Sequence, residues 1–352
     1  MKKTIVLKID PENPDKEKIE EAVNILKKAG LVAFPTETVY GLAALITEKR
    51  AVQELRTIKQ RPKDKKFAMC IHSIDQVEQF TGYIPPLAYK LMKKFWPGPL
   101  TLVLADRTKE KIGFRMPDNN VAQLFLRKLE IPVFAPSANL TGSSEPVSAE
   151  DVLKDLDGRI DAVIDAGRTS LGVASTVCAV EDDTFTILRK GAVTKEMIEE
   201  ISKYKKVLFV CTGNSCRSAM AQGLMKKLIS DNEYIKVDSA GVAALDGMPA
   251  TREAVEVMKK EGIDISEHKS KKLTEQMIKE SDCILVMEHR HKKYITERVP
   301  QAETRTFLLK EFDKEEHEVL TISDPIGLGI NFYEEAVRVI KNSIERLVLK
   351  LK

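Results

Sequence analysis

The hydrophobic pattern of the first 203 residues predicts short strands and amphipathic helices in mixed order. Residues 16–28 carry apolar side chains at helical spacing and end before Gly30, a usual helix stop, so we expect a helix there and a strand at 31–34. Hydroxyl residues and a glycine break the pattern at 35–42, where no regular element is predicted. Further helices are predicted at 51–59 and 86–95, and strands at 100–105, 133–135, 162–165, 175–180 and 185–188. This mixture indicates an α/β domain with a mixed sheet.

The pattern becomes regular after residue 204. An apolar strand at 207–210 leads through a loop into a helix that runs to 229. The elements predicted after it are strands at 235–240, 283–287 and 304–308 and helices at 252–260, 275–280 and 333–349. This series predicts a parallel, Rossmann-like sheet, which binds ligands at the carboxyl ends of its strands. The segment 203–206 is lysine-rich and contains no typical linker residues, and we expect two domains, residues 1–203 and 204–352.

Composition narrows the class of protein. Hydrophobic residues make up 43% and charged residues 31% of the chain, and no apolar run reaches the ~18 residues of a membrane span, so we expect a soluble protein without a membrane partner. The apolar stretch near the N-terminus is too short for a signal peptide. Five cysteines without zinc-type pairing favour a reducing cytoplasm, and we identify no metal site built from protein ligands. The net charge is only +3, so the overall charge gives no indication of a broad basic surface that would bind nucleic acid.

A Cys-x5-Arg motif, Cys211 to Arg217, joins a predicted strand to a predicted helix. A cysteine thiolate attacks phosphorus when a helix N-terminus and an arginine stabilise its charge, and the intervening N–H groups can hold phosphoryl oxygens. Gly213 and Asn214 suit a tight loop with unusual backbone angles, and Ser218 suits a helix start. The motif predicts phosphate cleavage, and the alternative is a buried cysteine at a strand end with a surface arginine.

From about residue 206 to its C-terminus, the chain resembles the low-molecular-weight protein phosphatases, which include tyrosine phosphatases and bacterial arginine phosphatases. The resemblance is carried by the Cys-x5-Arg loop and by residues 238–241, 268–270 and 323–325. It implies a parallel-sheet domain without a cofactor, in which Cys211 is the nucleophile, Arg217 binds phosphate, and Asp324 acts as acid and then as base. The residues implied to support the phosphate loop are Thr212, Gly213, Asn214, Ser215, Cys216 and Ser218.

The resemblance does not decide which phosphorylated side chain is the substrate. Ser215 is small and polar where tyrosine-specific members often carry a larger apolar residue, and the arginine phosphatases resemble this chain in having a hydroxyl there. Residues 326–329 also lack the aromatic side chain that stacks on a tyrosine ring in many members. Cys216 is either a packing residue or the partner of Cys211 in a reversible disulfide. Arsenate reduction is a third alternative, although Cys283 lies in a predicted buried strand.

Five segments of the first domain form an ordered set of motifs. They are Pro-Thr-Glu-Thr-Val-Tyr-Gly-Leu at 35–42, Lys-Gln-Arg-Pro at 59–62, Trp-Pro-Gly-Pro-Leu-Thr at 96–101, Pro-Ser-Ala-Asn at 136–139 and Ser-Thr-Val at 175–177. This set resembles the threonylcarbamoyl-adenylate synthase, or YrdC-like, family over roughly residues 10–200. The resemblance implies a twisted mixed sheet with a large, positively lined cavity. It also implies condensation of L-threonine, bicarbonate and ATP to threonylcarbamoyl-AMP and pyrophosphate, with an indirect link to tRNA-modifying proteins.

The resemblance assigns eight binding residues. Those expected to offset the charge of ATP, with Mg2+ shielding the rest, are Lys59, Arg61, Arg115 and Arg189. Those expected to contact ribose or the α-phosphate are Ser137, Asn139 and Ser175, and Thr36 is expected to receive threonine. Many relatives carry a proline and a histidine where Lys66 and Cys70 stand, which predicts weaker or different threonine binding. The two domains together predict a bifunctional enzyme that also acts on phosphorylated protein; a phosphatase with a non-catalytic nucleotide- or RNA-binding domain is the alternative.

Overall fold

The computed structural model describes residues 3–62, 66–230, 232–313 and 319–351. The chain divides into two compact units, Met1–Ile201 and Ser202–Lys352. Within the described residues, no helix combines the length and the apolar composition that crossing a membrane requires.

The first unit is built on one large sheet. Its strands are β1 (Ile5–Lys8), β2 (Val32–Phe34), β3 (Gly41–Leu45), β4 (Met69–Cys70), β5 (Leu100–Ala105), β6 (Lys111–Arg115), β7 (Val133–Phe134), β8 (Ala162–Asp165), β9 (Thr176–Glu181) and β10 (Thr184–Arg189). They pair in the order β1-β8-β2-β3-β7-β4-β6-β5-β9-β10. The pairs β1–β8 and β5–β9 are parallel, whereas β2–β3 and β9–β10 are antiparallel. The predicted mixed α/β sheet is confirmed.

Helices pack against this sheet and bury its apolar side chains. They are α1 (Lys16–Lys27), α2 (Lys49–Ile58), α3 (Ile74–Phe80), α4 (Pro86–Phe95), α5 (Asn120–Leu129), α6 (Ala149–Leu156) and α7 (Lys195–Lys203). Asp15 caps α1, Asn119 caps α5 and Ser148 caps α6, because each side chain accepts a hydrogen bond from an N–H group of the following turn. The rings of Phe34 and Phe125 lie 5.5 Å apart and join β2 to α5 in the core.

The second unit is a four-stranded parallel sheet between helices. Its strands β11 (Lys205–Cys211), β12 (Ile235–Gly241), β13 (Cys283–Val286) and β14 (Thr306–Leu308) pair in the order β12-β11-β13-β14, and all pairs are parallel. Its helices are α8 (Arg217–Leu228), α9 (Arg252–Lys260), α10 (Glu275–Glu280), α11 (His289–Arg298) and α12 (Ile330–Leu351). The predicted parallel sheet is confirmed, and β11 lies inside it with Cys211 at its carboxyl end.

Some predicted elements are wrong. Gly41–Leu45 is a strand, although the sequence indicated no regular element at 35–42; all five residues are buried, so the strand shows no polar alternation. The predicted strand at 304–308 is preceded by a 3-10 helix at Pro300–Arg305 and begins only at Thr306. The last helix begins at Ile330 rather than at residue 333.

Candidate active sites

The phosphate loop of the second unit connects the end of β11 to the start of α8. Asn214 has a φ of 56°, the left-handed region that asparagine tolerates better than most residues, and this turns the loop toward the helix. Its main-chain N–H points at Cys211 Sγ, 3.2 Å away. Gly241 lies behind the loop, where a Cβ would come within 2.5 Å of the main-chain oxygen of Thr212, so only glycine fits there.

Cys211 is buried and contacts the hydroxyl of Ser218 at 2.9 Å. Because Asn214 Nδ2 donates to that same hydroxyl oxygen, the hydroxyl proton of Ser218 can point at the sulfur. Burial raises the pKa of Cys211, whereas the hydrogen bonds from Ser218 and Asn214 and the charge of Arg217 act in the opposite direction. The three neighbours therefore favour the thiolate against the cost of burial.

The side chain of Asn214 holds the loop from inside the fold. It is fully buried and donates through Nδ2 to Ser239 Oγ as well as to Ser218, each at 2.9 Å. Its Oδ1 accepts the N–H of Lys271 at 2.8 Å, and its main-chain oxygen lies 2.7 Å from Nε2 of His268. The segments 238–241 and 268–270, singled out in the sequence, thus meet at one loop residue.

Arg217 lies beneath the phosphate loop with 1% of its surface exposed. Its Nη1 donates to Glu288 Oε1 at 2.6 Å and to the main-chain oxygen of Ile322 at 2.8 Å. Its Nη2 donates to the carboxylate of Asp324. Asp324 therefore lies next to the phosphate loop, although it is 107 residues along the chain from Arg217. A site that cleaves phosphate needs a proton donor at such a position.

The remaining loop residues have defined neighbours. Cys216 Sγ lies 3.3 Å from Thr251 Oγ1 and 3.7 Å from the hydroxyl of Tyr333, and the thiols of Cys211 and Cys216 are both free. The main-chain oxygen of Ser215 accepts the N–H of Thr251 at 3.0 Å. Gly213 lies between the nucleophile candidate and Asn214.

Three polar residues around this site were not predicted from the sequence. Glu288 binds Arg217, and Arg290 donates to Glu288 at 2.8 Å and to Thr212 Oγ1 at 3.2 Å. His291 is fully buried with its Nε2 3.0 Å from Thr212 Oγ1, and burial lowers the pKa of His291 to about 4. The signal in the sequence was a glutamate two residues after the end of β13, followed by a basic helix start.

The first unit contains a cavity of about 640 Å³ that all eight predicted binding residues line: Thr36, Lys59, Arg61, Arg115, Ser137, Asn139, Ser175 and Arg189. Its other charged lining residues are Lys66, Lys111 and Glu145. Main-chain bonds from Leu42 to Pro136 and from Ala138 to Tyr40 hold two of the motif segments side by side. The excess of basic side chains suits a ligand with several negative charges.

Lys59 reaches across the cavity to the segment at 136–139. Its Nζ donates to the main-chain oxygens of Ser137 and Asn139 at 2.9 and 2.6 Å, and to Asn139 Oδ1 at 2.8 Å. Ser137 Oγ donates to the same Oδ1, also at 2.8 Å. Burial lowers the pKa of Lys59 to about 8, although the charge of Glu145 raises it.

Two arginines of the cavity have acidic or carbonyl partners that the sequence did not reveal. Arg115 forms a 2.9 Å ion pair with buried Glu37 and contacts Thr36 Oγ1 at 3.3 Å. Arg189 donates to the main-chain oxygen and the hydroxyl of Ser175, at 2.8 and 3.0 Å from Nη2. These partners orient both guanidinium groups.

Lys66 and Cys70, which depart from the family pattern, also lie at this cavity. The main-chain oxygen of Lys66 accepts a hydrogen bond from Arg61 Nη2 at 2.6 Å, while its Nζ pairs with Asp106 at 2.9 Å and Glu110 at 2.6 Å. Burial raises the pKa of Cys70 to about 11, so this thiol stays neutral. Within residues 3–62, 66–230, 232–313 and 319–351, no three His, Cys, Asp or Glu side chains form a group that could hold a metal ion.

Each unit of the chain matches the model of a known protein family. The family model Sua5/YciO/YrdC, described as telomere recombination, matches residues 24–191, and that of the low molecular weight phosphotyrosine protein phosphatases matches residues 206–352.

Individual relatives agree with the family models. A threonylcarbamoyl-AMP synthase of Bacillus subtilis is 43% identical over 193 residues, 52% of this chain, and the match spans 56% of that relative. A probable low molecular weight protein-tyrosine-phosphatase, EpsP, of Ralstonia nicotianae is 38% identical over 148 residues, 42% of this chain and 97% of that protein. A solved structure of Sua5 from P. abyssi has a TM-score of 0.53 at 26% identity and covers 87% of this chain and 98% of that one. The chain therefore belongs to two families: its first unit to the Sua5/YciO/YrdC family and its second to the low molecular weight phosphotyrosine protein phosphatases.

Proposed function

We propose that the chain is a bifunctional enzyme whose first unit is an L-threonylcarbamoyladenylate synthase. The observation that carries this proposal is the cavity of about 640 Å³, which eight residues from distant parts of the chain line together. The B. subtilis relative named threonylcarbamoyl-AMP synthase supports it. The substrates are L-threonine, bicarbonate and ATP with Mg2+, and the products are threonylcarbamoyl-AMP and pyrophosphate. The product would pass to tRNA-modifying proteins in the cytoplasm.

The cavity residues suit the transfer of an adenylyl group. Lys59, Arg61 and Arg189 supply positive charge for the triphosphate, which matters most as pyrophosphate leaves with the electrons of the broken bond. Ser137 and Asn139 hold Lys59 in place and offer hydrogen bonds at the same edge of the cavity. Thr36 and Arg115 lie together in the wall of the cavity, and we therefore assign Arg115 to the carboxylate of threonine rather than, as the sequence suggested, to ATP.

A test of this proposal is pyrophosphate release by the full chain. We expect release only when ATP, bicarbonate and threonine are all present, and strong loss in Lys59→Met and Arg61→Met variants. Lys94→Met, an exposed lysine on α4, is the matched control and should retain the rate. Nucleotide binding without threonine-dependent release would instead favour a non-catalytic binding domain.

We further propose that the second unit hydrolyses a phosphoryl group on protein through a phosphocysteine. The contacts of Cys211 with Ser218 and of Arg217 with Asp324 carry this proposal. The Cys211 thiolate attacks phosphorus, a sulfur–phosphorus bond forms, and the leaving group departs with a proton from Asp324. Asp324 then takes a proton from water, whose oxygen displaces the sulfur and releases inorganic phosphate.

The leaving group in this proposal is either a tyrosine oxygen or an arginine nitrogen. The small hydroxyl side chain of Ser215 favours the arginine, whereas the name of the R. nicotianae relative favours the tyrosine. Rates on phosphoarginine and phosphotyrosine peptides of one sequence would decide, and a clear preference for phosphotyrosine would overturn our interpretation of Ser215.

The thiol chemistry has its own test. Phosphate release should vanish in Cys211→Ser and persist in Cys283→Ser, which removes a half-buried thiol on β13. The third alternative, arsenate reduction, predicts thiol-dependent loss of arsenate, and we expect none.

A further inference from the structure

The first turn of α11 carries basic side chains where a helix normally avoids them. Residues 289–293 are His-Arg-His-Lys-Lys, and the turn contains no acidic residue. Cations at a helix N-terminus oppose the helix dipole and cost free energy. Glu288 occupies the capping position but makes no capping hydrogen bond with its side chain, because its carboxylate binds Arg217 and Arg290. Basic side chains at a position that is unfavourable for the helix indicate that they have a function there.

This basic turn lies beside the proposed active site. Arg290 Nη2 is 3.2 Å from the hydroxyl of Thr212, the residue that follows Cys211. Buried His291 contacts the same hydroxyl at 3.0 Å and fixes the start of α11 against the phosphate loop. Arg290 therefore stands at a defined place on the rim of the loop.

Arg290 also presents unused donors to solvent. Its side chain is 60% exposed, and within the part of the chain that the structure describes its Nη1 and Nε make no hydrogen bond. Lys293 lies three residues further along α11, on the same face, and is 77% exposed with a loose 3.9 Å contact to Glu297. Inside the site, Glu288 and Asp324 face Arg217 and Arg290, and at the rim the exposed Lys293 has only its 3.9 Å contact with Glu297, so its ammonium group can also face an acidic ligand.

We propose that Arg290, with Lys293 behind it, docks an acidic residue of the protein substrate next to the phosphorylated side chain. A carboxylate can accept a charge-assisted hydrogen bond from the unused Nη1 or from Nε of this guanidinium. This inference rests on the proposed phosphatase function and specifies its substrate class: phosphorylated segments with acidic neighbours are bound in preference to neutral ones. Rim charges of this kind set specificity and encounter rate.

The test uses two phosphopeptides that differ only in flanking Asp or Asn residues. Their dissociation constants are measured on the full chain carrying Cys211→Ser, which binds without turnover, and kcat/KM is measured on the parent chain. We expect the acidic peptide to bind about two- to fivefold more tightly at low salt, the range for exposed charge pairs, and to lose this advantage at high salt.

Variants assign the effect to the basic turn. Arg290→Gln should remove the preference, Arg290→Lys should restore part of it, and Arg298→Gln, the same charge change at the far end of α11, should leave it unchanged. Equal binding of the two peptides, or a preference that survives Arg290→Gln, would overturn the inference. If the peptides bind but the parent chain hydrolyses neither, the proposed phosphatase function fails while the docking surface stands.

Discussion

Arg217 and Asp324 are hydrogen-bonded to each other under the phosphate loop, so the proposed phosphate ligand and the proposed acid lie together. Asp324→Asn keeps an oxygen that can accept from Arg217 but provides no proton for a leaving group. We expect kcat for phosphopeptides to fall about 100- to 10,000-fold with little change in binding. Steady-state kinetics of the full chain would measure this, and an unchanged kcat would remove Asp324 from the mechanism.

Asn214 joins three segments of the second unit through hydrogen bonds and holds a positive φ. Asn214→Ala loses the side-chain bonds and places alanine in a left-handed conformation. We expect a loss of about 2–4 kcal/mol in the free energy of unfolding. Asn214→Gly separates the two causes, since glycine accepts the φ but makes no bonds. Calorimetry of both variants would measure the loss of stability and its two causes. Equal stability of Asn214→Ala and the parent would show that Asn214 does not hold the loop.

Lys59 has a pKa of about 8 because it is buried, so its positive charge is progressively lost as the pH rises through that value. If Lys59 binds the triphosphate as a cation, KM for ATP should rise by up to about tenfold between roughly pH 7 and pH 9. Lys59→Arg keeps its charge over this range and should flatten the dependence. An identical pH profile for the variant would show that the charge of Lys59 does not bind ATP.

Lys66 replaces the proline of many relatives and links Arg61 to the hairpin between β5 and β6. We expect Lys66→Met to raise KM for ATP by about two- to fivefold through loss of this anchor. Asp106→Asn should raise KM less, because Lys66 keeps its 2.6 Å pair with Glu110, and the double variant should be little worse than Lys66→Met alone. Additive effects in this cycle would show that the ion pair does not position Arg61.

Local signals in the sequence were sufficient for some elements and not for others. The helix Pro86–Phe95 has the predicted bounds because proline at its first position and apolar spacing both act locally. Strand Gly41–Leu45 was missed because it is buried throughout and shows no polar alternation, and because one of its two partner strands, β7, lies far along the chain. The residues of the two candidate sites likewise divide into those that local motifs indicate and those that only the fold brings together.

Motif order indicated the residues that line the cavity and the phosphate loop, but their partners came from far along the chain. Glu288 binds Arg217 across 71 positions, and the Glu37–Arg115 pair joins the segment after β2 to the end of β6. Such contacts depend on the packed fold, and no local pattern encodes them.

The central claim, that this chain joins a complete synthase to a phosphatase, is tested most directly by pyrophosphate release from ATP. The full-length chain with Cys211→Ser excludes any contribution from the phosphatase site. We predict release that requires both threonine and bicarbonate and that disappears in the added Lys59→Met variant. Release that is independent of threonine, or no release while ATP binds, would contradict the account.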